Sequence, residues 1–301
     1  MKSLVYRLSQ SHPQYLYIQD EIGRIEAGDK GEEVIMFKLD GLNLPYEHYI
    51  FHNLNLYIES HIQIDTLIIT PYYIMIFEVK NIRGAIELRQ NPQQLIRTLE
   101  NGEIHSFNSP EAQLEEYTHQ MKQLFQEQGL IIPVHGAVVF AFASSYIKET
   151  SVKTKVLLRN EICSFLHNMK VKESILTVKE LKAMKNFLLA KHRHYHPYPL
   201  CQRYKIEMDH IKTGVICEVC GDVGMQRAYG RWRCHKCGEE SRDAHKQTLR
   251  EYAWLIDSTI SNKECRHFLQ IDNVDLAKRI LMEYSSQKSG KYRYAKYVLP
   301  I

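Results

Sequence analysis

The stretch HIQIDTLIITPYYIMIFEVK, residues 61–80, decides how the first half of this chain folds. Residues 61–70 and 73–80 are rich in isoleucine and other strand-forming side chains, and Pro71-Tyr72 interrupts them, so they read as two strands of a hairpin. If Pro71 and Tyr72 form the loop, Asp65 faces Glu78 and Gln63 faces Lys80. Side chains alternate along a strand, which puts Glu78 and Lys80 on one face about 7 Å apart, with cross-strand partners about 5 Å away. Gln63, Asp65, Glu78 and Lys80 are then expected to converge beside Leu67, Ile69, Ile74 and Ile76.

Two carboxylates held this close raise one another's pKa unless a cation neutralises them. One answer is Mg²⁺, a hard ion commonly shared between a few carboxylates and a phosphate. Lys80 would then stabilise a negative transition state or help position a water nucleophile. The other answer is an ion-pair network between Lys80 and the carboxylates on an exposed sheet face. Spacing alone leaves both open.

Working outward, residues 1–28 read as a polar, partly helical lead-in ending at Gly28. Asp29 then opens a helix carrying Val34, Ile35 and Leu39, and Asp29-x-x-Glu32 fits a capping box. Short strands are expected at 49–58 and 83–88. Pro110 suits the first turn of a helix over 110–128, striped by Leu114, Tyr117, Met121, Leu124 and Phe125. Residues 134–143 (VHGAVVFAFA) read as a buried strand, and helices are expected at 159–169 and 177–192. Strands flanked by helices make this half α/β or α+β.

Residues 31–140 resemble the nuclease-related domain, a branch of the restriction-endonuclease-like superfamily. The likeness is carried by Gly31-Glu32, Gln63-Ile64-Asp65, Glu78-Val79-Lys80-Asn81 and Phe107-Asn108-x-Pro110-x-x-Gln113. Asn91-x-x-Gln94-Leu95-Ile96-Arg97-Thr98 is similar to the family's bacillus-type members, which continue into a zinc ribbon and a C-terminal helical region. The resemblance implies a mixed sheet flanked by helices and hydrolysis of phosphodiester bonds in DNA processing. It implies Asp65 and Glu78 as ligands of Mg²⁺ or Mn²⁺, Lys80 as the catalytic lysine, and Glu32, Gln113 and Gln63 as supporting residues. Gln113 also fits a plain exposed helix position beside the apolar stripe. A non-catalytic DNA-associated or scaffolding protein on the same fold is the alternative function.

In the second half, Cys217-Glu-Val-Cys220-Gly221 and Cys234-His-Lys-Cys237-Gly238 are two knuckles separated by 13 residues. A C-x-x-C turn presents two sulfurs to one ion, and the glycine after it permits the turn's unusual backbone. Four thiolates close a tetrahedron, so the expectation is one structural Zn²⁺ with no open catalytic position. Arg227, Arg231, Arg233 and Lys236, with Tyr229 and Trp232, suit either nucleic-acid contact or a solvated basic face. Cys163, Cys201 and Cys265 read as small buried hydrophobes.

Residues 244–301 resemble a winged helix-turn-helix. A helix runs from Ala244, Ser261-x-x-Glu264 caps a second, and Leu276, Ala277, Ile280 and Leu281 stripe a third. A hairpin around Gly290 would be the wing. Lys278 and Arg279 on the third helix, with Lys288, Lys291, Arg293 and Lys296 on the wing, are the candidate nucleic-acid contacts. No acidic residue follows Glu283.

The expected organisation is a nuclease-related domain with its lead-in over 1–195, a linker at 196–212 overlapping the proline-punctuated HRHYHPYPLCQRY of residues 192–204, a ribbon over 213–241 and the winged module over 244–301. The histidines of that segment, His192, His194 and His196, read as solvated. Of the 301 residues, 44% are hydrophobic and 25% charged, as in ordinary globular proteins. Residues 201–301 hold 18 Lys/Arg against 13 Asp/Glu, while residues 1–200 hold 21 against 22. The mild basic bias of the last third hints at a polyanionic partner, which the resemblance makes nucleic acid, most simply DNA. No apolar run approaches membrane-spanning length and the polar N-terminus lacks a signal-peptide core, so a cytoplasmic protein is expected.

Overall fold

The computed structural model describes residues 1–142, 145–150, 153–193, 198–290 and 294–300. Two helices open the chain, α1 (Lys2–Arg7) and α2 (Gln14–Asp40). The chain divides into two compact units, one built from residues 25–195 and the other from 1–24 with 196–301.

The unit of residues 25–195 is organised by a mixed sheet of β1 (Tyr49–Tyr57), β2 (His61–Ile69), β3 (Ile74–Lys80), β7 (Val134–Phe140) and β9 (Lys155–Leu158), in that spatial order. A second sheet takes β4 (Ala85–Gln90), β5 (Gln93–Thr98), β6 (Ile104–Asn108) and β8 (Tyr146–Glu149), in the order β6-β5-β4-β8. In the first, β1, β2 and β3 form an antiparallel meander, while β7 runs parallel to β3 and β9 parallel to β7. Helices α3 (Pro110–Gln126), α4 (Ile162–His167) and α5 (Val178–Lys191) complete the unit.

The core explains why β3 is apolar at nearly every position. One face of the first sheet, with Leu67, Ile69, Ile74, Ile76, Val138 and Phe140, is buried with Leu114 and Met121 of α3 and Leu181 and Leu188 of α5. The other face, with Ile68, Met75, Phe77, Ala137 and Val139, is buried with Ile35 and Leu39 of α2 and Ile162 and Leu166 of α4. A strand covered on both faces needs no polar alternation. Each such side chain contributes about 1.5–3 kcal/mol on burial. Gly136 lets α3 lie close on β7, because a Cβ there would stand 2.7 Å from Leu114.

The helix expected to begin at Asp29 begins instead at Gln14, and α2 runs unbroken through Gly23, Gly28 and Gly31. A glycine inside a helix costs about 1 kcal/mol relative to alanine, which packing on the sheet offsets. Asp29 therefore caps nothing, and the capping-box reading of Asp29 and Glu32 falls. Helix α3 matches its expectation, with Ser109 as N-cap and Pro110 in the first turn.

The unit of residues 1–24 and 196–301 holds α6 (Leu200–Arg203), the antiparallel ribbon β10 (Val215–Ile216), β11 (Val223–Ala228), β12 (Arg231–Arg233) and β13 (Glu240–Ser241), and then α7 (Ala244–Leu255). It ends with β14 (Thr259–Ser261), α8 (Asn262–Leu269), α9 (Val274–Tyr284), β15 (Gln287–Ser289) and β16 (Lys296–Val298), whose strands pair in the order β14-β16-β15. From α7 onward the order helix, strand, helix, helix, strand, strand is that of a winged helix. Ser261 and Glu264 form the expected capping box at the start of α8.

Two expectations about this half are corrected. The lead-in does not belong with the first domain, because Leu4, Leu8 and Ile18 are buried with Val215, Leu249 and Phe268. The described part of the supposed linker is not solvated either, since Leu200, Cys201, Tyr204, Ile206 and Ile211 join the same core. Arg7 ties these parts together. Its fully buried guanidinium bonds Glu251 Oε2 at 2.8 Å and the carbonyls of Lys212 and Gly214 at 2.8 and 3.1 Å, with the Phe268 ring 4.7 Å away. His192 leaves solvent as well, accepting the Asn55 N–H at 3.2 Å; His194 and His196 lie outside the described residues.

Candidate functional site

The hairpin of β2 and β3 has the register that its loop dictates, with Thr66 opposite Phe77, Leu67 opposite Ile76 and Ile69 opposite Ile74. Thr70 fixes the turn, its hydroxyl accepting from the N–H groups of Tyr72 and Tyr73. The ladder stops at Thr66–Phe77, one step before Asp65 and Glu78. At that step the Asp65 carboxylate replaces the backbone, Oδ2 accepting the Val79 N–H at 2.7 Å. Gln63 pairs only with Asn55 of β1 among the described strands.

Glu78 is 1% exposed, and its Oε1 accepts from Lys80 Nζ at 2.5 Å. Its Oε2 is buried with no partner among the described residues. Burial raises the Glu78 pKa to about 7, the charge of Asp65 adds to this, and Lys80 opposes it. Burial also raises Asp65, against the Val79 N–H and Lys80. Burial works against the Lys80 ammonium, but Glu78 and Asp65 outweigh it and move its pKa up.

Helix α2 brings Glu32 to the same place. A Cβ on Gly31 would stand 2.6 Å from the Asn81 side chain, so glycine permits this close approach, and Asn81 Nδ2 donates to the Ala27 carbonyl at 2.7 Å. Burial and then Asp65 and Asp29 push Glu32 up to about 7, with Lys80 opposing. From α3, Gln113 Nε2 donates to the Tyr117 hydroxyl at 3.0 Å. Tyr117 lies close enough to sense the charges of Glu78 and Asp65 and the main chain of Gln63, so Gln113 reaches the cluster through it.

Three carboxylates against one ammonium, with one carboxylate oxygen orphaned in the interior, is an arrangement that fits a cation. Among the described residues the three carboxylates do not all lie within 4.8 Å of one another, as the four cysteine sulfurs do.

Residues 27–141 match the family model of the nuclease-related domain. This stretch is a nuclease-related domain. No curated protein and no solved structure matches the chain. The mixed sheet flanked by helices fits the restriction-endonuclease-like fold. Within the nuclease-related domain, Glu32, Asp65, Glu78 and Lys80 come together from α2, β2 and β3. Tyr117 joins them although it reads in sequence as part of the apolar stripe of α3. Its spacing of four from Gln113, which puts both on one helix face, is the signal that could have revealed it.

The four cysteines form the second site. Their sulfurs all lie within 4.8 Å, with Cys217–Cys237 and Cys220–Cys234 at 3.6 Å. Ligands of a tetrahedral ion with bonds of about 2.3 Å stand roughly 3.8 Å apart, so the cluster fits a zinc ribbon. The two knuckles repeat one design: Gly221 N–H donates to the Cys217 carbonyl and Gly238 N–H to that of Cys234, both glycines at positive φ. Trp232 is fully buried and donates to His245 at 3.1 Å, so it is core and not a nucleic-acid contact. Arg231 pairs with Glu240, whereas Tyr229 stands fully exposed at the hairpin tip.

In the winged module, the start of α8, α9 and the wing enclose a cavity of about 740 Å³ lined by Lys263, Arg266, Lys278 and Lys288. Its described lining holds no carboxylate. Lys288 is opposite Tyr297, its Nζ 5.7 Å from the ring. Lys296 is opposite Ser289, one residue along, and so lies on the other face. Arg279 also departs from the expected patch, lying near enough to Arg227 to lower that guanidinium's pKa beyond the effect of burial. Lys291 and Arg293 lie outside the described residues. Lys263 and Arg266 were missed because α8 reads in sequence chiefly as a buried face.

The raised Glu78 pKa carries a sign. The folded protein binds a proton there between about 4.5 and about 7 that the unfolded chain has released, so metal-free stability falls as pH rises through that window. Glu78→Gln should therefore be more stable than wild type at pH 8 without divalent metal, by on the order of 3 kcal/mol, with the gain fading towards pH 4.5. Denaturant unfolding across this range checks it, and a wild type equal to or above the variant at pH 8 contradicts it.

Proposed function

We propose that this chain is a divalent-metal-dependent nuclease that hydrolyses phosphodiester bonds in DNA. The observation that carries the reading is Glu78: a buried carboxylate with one oxygen held by Lys80, the other without a partner, and Asp65 and Glu32 beside it. Asp65 and Glu78 would hold the ion. A bound Mg²⁺ or Mn²⁺ supplies positive charge against phosphate oxygens and acidifies water.

The chain's own residues supply the rest. The Val79 N–H fixes one Asp65 oxygen, which leaves the other for a ligand. Lys80, kept charged by Glu78 and Asp65, donates to the negative charge that grows on the phosphate oxygens. Glu32, with a pKa of about 7, can hold a water by accepting its proton in a hydrogen bond. Gln113 orients Tyr117, and Gln63 supports it through the main chain. A zinc ion closes the Cys217, Cys220, Cys234 and Cys237 cluster as a structural element. The groove of Lys263, Arg266, Lys278 and Lys288 holds the phosphate backbone of the substrate. Among the described residues no helix is long and apolar enough to cross a membrane, and we place the protein in the cytoplasm, where reduced thiols remain available to a metal.

Cleavage is expected to need Mg²⁺ or Mn²⁺, to stop with EDTA, and to fall at least about 10²–10³-fold in Asp65→Ala, Glu78→Ala and Lys80→Ala. A panel of duplex, single-stranded and branched DNA and RNA measures this. A wild-type chain inert on all of them hands the case to a non-catalytic scaffold. Metal analysis should find one zinc per chain, lost in Cys220→Ser with Cys237→Ser; a ratio near zero in wild type would contradict the ribbon. Lys263→Glu with Arg266→Glu should weaken DNA binding and lower the salt slope by about 2, while Lys296→Glu, on the other face, changes little. Equal losses from both would remove the groove from the interface.

A further inference from the structure

The place where β2 and β3 part leaves backbone groups without a strand to pair with, and these lead to a residue that the nuclease-related motifs do not include. Asn55 directs its N–H to His192 and accepts from the Arg193 N–H, so both of its main-chain groups point away from β2. Asn55 and Gln63 are thus a non-hydrogen-bonded pair, and the backbone of Gln63 points away from β1. On that side β3 would follow, but its ladder with β2 has already ended at Thr66–Phe77. The hydroxyl of Tyr117 lies near the main chain of Gln63 here and accepts from Gln113 Nε2 at 3.0 Å.

This bond makes the tyrosine oxygen an acceptor. A phenol oxygen that accepts still carries one proton to donate. Among the described residues nothing accepts that proton. Burial and the charges of Glu78 and Asp65 keep the phenol protonated at neutral pH. The same oxygen lies close enough to raise the pKa of Lys80, so the unspent donor sits with the acidic cluster.

We propose that Tyr117 contacts the substrate: its hydroxyl donates a hydrogen bond to a non-bridging oxygen of the scissile phosphodiester. The proposal rests on the nuclease reading and deepens it. Tyr117 transfers no proton. Its bond strengthens as negative charge accumulates on phosphorus-bound oxygens, so it favours the transition state over the bound substrate. Gln113 acts as a positioning group, since its Nε2 holds the hydroxyl oxygen and leaves the proton to turn outward. A tyrosine that merely packed against the core would need no such partner.

The test compares Tyr117→Phe with wild type in the full chain, using the nucleic acid that wild type cleaves best with Mn²⁺. Expected is a fall in kcat of about 10²-fold with little change in KM, in Mn²⁺ affinity by calorimetry or in melting temperature. Gln113→Ala should give a smaller fall, and none when added to Tyr117→Phe, because both act through one proton. An unchanged kcat, additive losses, or a fall that tracks lost Mn²⁺ affinity or melting temperature overturns the role of Tyr117 and leaves the nuclease reading standing. A wild-type chain that cleaves nothing removes both.

Discussion

Strands β2 and β3 separate after Thr66 and Phe77, and the acidic site depends on that separation. Up to this pair the hairpin is ordinary apolar sheet, buried on both faces. Beyond it, a continued ladder would have turned Asp65 and Glu78 into a plain cross-strand pair with their backbones satisfied. Instead Asp65 spends one oxygen on the Val79 N–H, Gln63 is left facing α3, and Lys80 folds back on Glu78. The burial that makes the core stable also makes the charges costly, since desolvation leads the list of causes for Glu32, Asp65 and Glu78. Stability and chemistry oppose one another at the same few residues, as is common where function requires buried charge.

How much of this is legible in the sequence depends on the range of the interaction. The register of the hairpin is local: two strands with alternating faces and a proline-containing loop leave little choice, and Leu67–Ile76 and Ile69–Ile74 pair as read. The knuckles are local too, and Gly221 and Gly238 take the positive φ values that their turns require. The end of the ladder is not legible, because it depends on α3 delivering Tyr117 to Gln63. The three glycines of α2 look like punctuation, yet Gly31 is there so that the helix can touch Asn81. Trp232 among arginines suggests a binding surface, but its contacts with His245 in the interior come from a helix not visible as a neighbour. Leu4, Leu8 and Ile18 were read as lead-in because their partners stand about two hundred positions away.

The two metal-type clusters differ in a way that follows from their ligands. The thiols are brought together by two tight turns of the same design, each closed by its own backbone bonds, and so form a tight group. The carboxylates come from a helix and two strands and form a looser group, with Lys80 bonded to Glu78 on one side. The first arrangement suits an ion that stays for the life of the fold. The second suits one that arrives with, or is completed by, a polyanionic substrate.

Arg7 and Glu251 are 244 positions apart and form one buried pair. On a ribosome adding about 5–20 residues each second, the first waits roughly 10–50 s for the second to be made. In the last part of that interval the segment of residues 25–195 is complete and can close on its own core, while Leu4, Leu8 and Ile18 still lack their partners. Residues 1–24 are thus among the last parts of this chain to reach their final surroundings.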